Sequence, residues 1–150
     1  MSQSLAQIIV HLVFSTKNRE PWLDDGIRDD LHAYIGGIVK AHRGELLRAG
    51  SVPDHIHLLL AHPRTSAPAE LVQEIKTSSS KWLKTRAPRY AGFRWQNGYG
   101  IFSASPAHRS ALETYLANQA EHHRKVTFQD EYRRLLAKYG VAFDERYVWD

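Results

Sequence analysis

Two histidines separated by one residue, in Pro53-Asp54-His55-Ile56-His57-Leu58-Leu59-Leu60, are the side chains of this sequence best placed to do chemistry. If the stretch runs as a strand, alternation places His55 and His57 side by side on one face. Neutral imidazole is a good nitrogen ligand, and two imidazoles held on one strand suit a divalent metal. The other face carries Ile56, Leu58 and Leu60, an apolar row that buries against helices and holds the pair rigidly. The same spacing also fits hydrogen-bonded core histidines with no metal. Tyr115 and Gln119 form a second constellation, because a four-residue step puts both on one face of a helix, with His122 on the next turn. A phenol can attack phosphorus and an amide oxygen can be a hard metal ligand, so one helix could deliver both to the histidine strand. The competing reading is a core tyrosine with its hydroxyl at the rim and a solvated glutamine.

Such a site needs a sheet and helices around it, and the chain is patterned for both. Gln7 to Phe14 is dense in β-branched and aromatic residues and predicts a buried strand. Ile27, Leu31, Tyr34, Ile35 and Ile38 recur at helical spacing behind Asp24-Asp25, so a first helix is expected over 25–41, closed by Gly44. Glu45 to Val52 predicts a strand that turns at Ser51-Val52-Pro53-Asp54 into the histidine strand as a hairpin. After a polar loop, Leu71, Val72, Ile75, Ser79, Trp82 and Leu83 mark a second amphipathic helix over 69–85. Phe93 to Ser103 is expected to form a fourth strand, with a turn or bulge at Asn97-Gly98. Ser105-Pro106 starts a third helix reaching Arg124, and a fourth runs from Thr127 to Tyr139 and stops at Gly140. This order is the split βαβ arrangement of an α+β, ferredoxin-like sandwich. The expectation is an antiparallel sheet with helices on one face, an open second face, and extra C-terminal helices. In RNA-recognition modules of this shape the open face meets single strands.

Composition narrows the classes. A chain of 150 residues is expected to be one domain with a real core. It has no Cys, which removes disulfides and cysteine metal sites and is compatible with a reducing cytoplasm. No apolar run approaches the ~20 residues of a spanning helix, so no membrane partner is expected. Lys and Arg number 20 against 16 Asp and Glu, a net charge of +4 that is compatible with an anionic partner. Lys76, Lys81, Lys84, Arg86 and Arg89 lie among Trp82, Tyr90, Phe93 and Trp95, a mixture that can neutralise phosphates and stack on unpaired bases. Lys81, Arg86 and Arg89 are the candidate nucleic-acid contacts. Trp82, on the apolar stripe of its helix, is expected to be core.

Taken together, the two constellations resemble the single-tyrosine HUH transposases of insertion sequences that move as single-stranded DNA, and their relatives associated with repetitive extragenic palindromes. The resemblance spans nearly the whole chain. It is carried by His55-Ile56-His57 and by Tyr115-Leu116-Ala117-Asn118-Gln119, followed by Glu121-His122-His123. His11-Leu12-Val13-Phe14-Ser15-Thr16-Lys17, Lys76-Thr77-Ser78-Ser79-Ser80-Lys81-Trp82 and Trp95-Gln96-Asn97-Gly98-Tyr99-Gly100-Ile101-Phe102-Ser103 are further likenesses. The resemblance implies that His55, His57 and Gln119 bind a divalent metal, Mg2+ or Mn2+, and that Tyr115 attacks a DNA phosphodiester. It also implies a 5′-phosphotyrosine intermediate, a single-stranded or hairpin DNA substrate, for which Lys81, Arg86 and Arg89 are the candidate contacts, and no nucleotide cofactor. It further suggests a homodimer in which Tyr115 of one chain faces the histidine pair of the other, whereas palindrome-associated relatives build the site within one chain. Two rival readings are a ferredoxin-like nucleic-acid-binding module without catalysis, and a metal-dependent hydrolase that activates water and forms no tyrosine adduct.

Overall fold

The strand-forming runs lie where both neighbours can satisfy their backbone groups. In the computed structural model, which describes residues 2–150, Ile9–Ser15 forms β1 and all of its residues are buried. On one side β1 pairs antiparallel with β3, His55–Ala61, and on the other with β4, Gly100–Ala104. β2, Glu45–Val52, pairs antiparallel with β3 and completes a sheet of order β2-β3-β1-β4. With α1, Asp25–Ala41, after β1 and α2, Pro68–Arg86, after β3, this is the expected ferredoxin-like α+β topology. The Asp24 carboxylate accepts from the Gly26 N–H at 3.0 Å and caps α1. The left-handed residue beyond the helix is Arg43, φ 69°, rather than Gly44.

One face of the sheet presents Val10, Leu12, Phe14, Ile56, Leu58 and Leu60 to α1 and α2, whose Ile27, Leu31, Ile35, Leu71, Ile75 and Leu83 complete the main core. The second face presents Ile9, His11, Val13, His57, Leu59 and Phe102. It is not left open, because α3 (Arg109–Ala117), α4 (Gln119–His122) and α5 (Phe128–Lys138) lie over it. Leu116 joins Ile9 and Leu59, while Phe128, Tyr132 and Leu136 join Val13 and Phe102. An exposed sheet face with that much apolar area would be costly in water, and the C-terminal helices remove it. Val148 and Trp149 pack beside α5, and the Asp150 carbonyl accepts from the Gly98 N–H at 2.9 Å.

Three local expectations change. The fourth strand covers only Gly100–Ala104; residues 93–99 take an irregular path, whose carbonyls at Gln96, Asn97 and Gly98 accept from Lys76 Nζ at 2.9, 3.1 and 2.6 Å. The third helix breaks at Asn118, φ −100° and ψ 18°, so Tyr115 lies in the last turn of one segment and Gln119 begins the next. Trp82 is half-buried rather than core, stacked on Tyr34 at 4.9 Å between ring centres. Gly140, φ 66°, follows α5 as expected, in the left-handed region that costs glycine least.

Candidate active site and metal centre

Alternation along β3 delivers what the sequence implied, since His55 and His57 are buried side by side on the second face with ring centres 5.1 Å apart. β1 adds a third imidazole from the same face: His11 Nε2 is 2.7 Å from His57 Nδ1. On the other side, Gly50 of β2 is the register partner of His57. A Cβ there would lie 2.1 Å from the Leu116 carbonyl oxygen and 3.2 Å from Gln119 Cγ. The missing side chain is what lets the end of α3 rest on the sheet, which brings Tyr115 and Gln119 to the histidines.

Glu131 joins the parts. This carboxylate is 2 % exposed, on the apolar stripe of α5. Its Oε1 lies 2.8 Å from His57 Nε2, 3.1 Å from His123 Nε2 and 3.4 Å from His55 Nε2. Its Oε2 accepts the Tyr115 hydroxyl hydrogen bond and lies 3.0 Å from His122 Nε2, outside hydrogen-bond alignment. The ring of Tyr115 stands edge-on to His57 at 5.8 Å. The chain's own tyrosine therefore meets its own histidine pair through Glu131.

The outer nitrogens fix the tautomers. His55 Nδ1 is 2.7 Å from the Asp54 carboxylate and His123 Nδ1 is 2.7 Å from the Val126 carbonyl, both of which only accept. In neutral rings, Nδ1–H donates outward and Nε2 turns a lone pair inward, as in carboxylate–histidine–metal arrangements. These two Nε2 atoms are 3.0 Å apart and face the Glu131 carboxylate. Converging lone pairs at that spacing require a proton or a cation among them. The ligand atoms of His55, His57, His123 and Glu131 all lie within 4.8 Å of one another, a donor set that fits a divalent metal.

Electrostatics agrees with that arrangement. Burial, followed by repulsion from His55 and His123, outweighs the pull of Glu131 and lowers His57 to about 4, and burial plus His57 lowers His11 to about 3. Both are therefore neutral at pH 7, the form that ligates. Burial also lowers His55, but Asp54 and Glu131 outweigh it and the net shift is upward. Burial raises Glu131, yet its bonds to His123, His55 and His57 hold it well below the ordinary carboxylate range. The Tyr115 phenol is raised by burial and then by the Glu131 carboxylate, so it rests protonated.

Of the residues singled out from sequence, His55, His57 and Tyr115 come together. Gln119 is buried above Gly50; its Nε2 donates to the Tyr115 carbonyl at 3.4 Å and its Oε1 has no partner. An acceptor buried without a donor is a further fit to a cation. Lys81, Arg86 and Arg89 are not brought to the site. α2 packs on the Ile56, Leu58 and Leu60 face, so Lys81 and Arg86 stand across the sheet from the histidines. Arg86 lies 5.4 Å over Trp82, and Arg89 is paired with Asp24 and donates to the Tyr90 hydroxyl at 2.7 Å. Glu131 escaped the sequence reading, although a carboxylate within the stripe Phe128, Tyr132 and Leu136 was its signal.

Comparison with known proteins follows the same outline. The chain is 25% identical over 118 residues to the ISDra2 transposase TnpA of Deinococcus radiodurans, covering 75% of this chain and 84% of that protein. A crystal structure of a protein from Deinococcus radiodurans R1, described as a transposase, superposes with a TM-score of 0.61 at 24% identity over 79% of this chain and 98% of that one. A REP-associated tyrosine transposase bound to a REP hairpin superposes with a TM-score of 0.61 at 16% identity over 96% and 93%, a likeness of fold. The profile of the family described as "Transposase IS200 like" matches residues 4–119, which contain β1 to β4, the histidine pair, Tyr115 and Gln119, and the chain belongs to that family.

Proposed function

We propose that this protein cleaves and rejoins single-stranded, hairpin-bearing DNA in the cytoplasm, with Tyr115 as nucleophile and a 5′-phosphotyrosine intermediate. The observation that carries this reading is the contact between the Tyr115 hydroxyl and Glu131, the carboxylate that also joins His55, His57 and His123. His55, His57, His123 and Glu131, with the unpartnered Gln119 Oε1, are the residues that would hold Mg2+ or Mn2+, the nitrogen-rich set favouring Mn2+. When bound, the ion would polarise the scissile phosphate and offset its developing charge.

Tyr115 Oη attacks phosphorus as the bond to the 3′ oxygen breaks. The phenol becomes much more acidic as its oxygen bonds to phosphorus, so a weakly basic carboxylate suffices to take the proton during the step. Glu131 Oε2 is already the acceptor, and its protonated form can return that proton to the departing 3′ oxygen. The resulting 3′ hydroxyl can attack the phosphotyrosine and rejoin the strand, so no nucleotide cofactor enters. Lys81 and Arg86, across the sheet, take no part in this step; contact with a DNA arm is the role left for them and for Arg89.

Incubation with Mn2+ or Mg2+ and a labelled single-stranded hairpin should leave a DNA-linked protein band that Tyr115→Phe abolishes. An undiminished band in that variant would overturn the assignment. A homodimer formed by extending the sheet at an edge strand would hold two DNA ends together rather than complete one site. Mixed Tyr115→Phe and His57→Ala chains, each inactive alone, are therefore expected to stay inactive even after exchange into heterodimers. Recovery of cleavage in the mixture would show a site shared between chains.

A further inference from the structure

The nucleophile is reached through a cavity of about 490 Å3 between α3 and α5, with His11, Tyr115, His122 and Glu131 at its inner end. Its volume is that of a small-molecule site, suited to one unstacked nucleotide rather than a duplex step. The walls are apolar and aromatic, chiefly Leu112, Leu135 and Tyr139, and the Tyr139 ring is braced by stacking on Phe102 at 4.7 Å and 13°. Arg134 and Lys138 also line it. Their four-residue spacing places both on one face of α5, and both are exposed. Arg133 is paired with Asp130 and Glu145, whereas Arg134 and Lys138 make no ion pair among the described residues. The cavity thus has an apolar body, a rigid aromatic wall, two cations outside any ion pair among the described residues, with Lys138 Nζ 5.5 Å from the Tyr139 ring centre, and the attacking hydroxyl at its floor. Those features match, in order, a nucleobase, its stacking partner, a backbone phosphate and the phosphate to be cut.

We propose that this cavity is a subsite for the single unpaired nucleotide adjoining the phosphate that Tyr115 attacks, its base enclosed by Leu112, Leu135 and Tyr139 and its outer phosphate held by Arg134 and Lys138. The subsite rests on the cleavage reading for its position next to the scissile bond, and it adds a requirement that the flanking nucleotide leave the stack. Extraction is least costly where the base is already unpaired, so the subsite itself favours single-stranded DNA beside a hairpin over duplex.

The test is equilibrium binding without metal, which separates it from catalysis. The probes are a labelled single-stranded dodecamer of mixed sequence and the same backbone with every base replaced by an abasic sugar. Wild type should prefer the base-bearing strand by about tenfold, the scale of one stacked base. Ala111→Trp, at an exposed position on the cavity wall, should fill the space and remove that preference, as should Leu112→Trp, with folding checked by thermal melting. Arg134→Ala should weaken both probes alike and lower the salt dependence of binding by about one phosphate contact. Unchanged base preference in a folded Ala111→Trp protein would overturn the subsite, whatever the covalent assay shows. An absent DNA adduct together with a base preference that Ala111→Trp abolishes would instead count against the cleavage reading alone.

Discussion

A His57→Ala variant is expected to cleave single-stranded hairpin DNA about a thousandfold more slowly than wild type, or not detectably, while binding that DNA within about threefold of normal. The loss follows from the position of His57, whose Nε2 faces Glu131 at 2.8 Å and whose Nδ1 meets His11 at 2.7 Å. Its removal takes one donor from the candidate cation site and leaves the buried His11 without its polar partner. Binding survives because phosphate and stacking contacts supply most of the affinity for a single strand and lie outside the buried cluster. Excess chelator should reduce wild type to the level of the variant. Equal cleavage by both proteins in chelator, at the rate of metal-loaded wild type, would rule out the metal role.

Glu131→Gln is expected to lower cleavage by about a hundredfold to ten-thousandfold, the range for a positioned general base. Glutamine keeps the volume, but it removes the negative charge that faces His55, His57 and His123, and it cannot take the Tyr115 proton. The rate should recover in part as pH rises, because hydroxide can then accept the proton in place of Glu131. A pH profile parallel to wild type with an unchanged rate would deny Glu131 any part in proton transfer. Melting of Glu131→Gln beside wild type separates this from misfolding, since an amide group replaces one of the two oxygens that face His57 and the Tyr115 hydroxyl.

Much of this site was legible in the sequence, and the part that was not has a physical explanation. Alternation alone set the facing of His55 and His57, and the apolar row of Ile56, Leu58 and Leu60 marked the face that packs against α1 and α2. Helical spacing put Tyr115 and Gln119 together despite the break at Asn118, because Gln119 still reaches the Tyr115 carbonyl. Glu131 was hidden because α5 was read as an appendage rather than as the cover of the second face. A strand buried on both faces, such as β1, shows only that something covers it, not which helix does. Lys81 and Arg86 stand across the sheet from the histidines, and the clustering of Lys81, Arg86 and Arg89 in sequence says nothing about which side of the sheet they occupy. The irregular path of residues 93–99 depends on Lys76 reaching three carbonyls from another element, a long-range contact that local pattern does not encode.

The most direct test of Tyr115 as the nucleophile is peptide mapping of the DNA-linked protein. After reaction with metal and a single-stranded hairpin, nuclease trimming and proteolysis should yield one modified peptide, with a nucleotide 5′-phosphate esterified to Tyr115. A nucleotide found on any other residue, or strand cleavage that releases a free 5′-phosphate with no protein adduct at any time, would contradict it.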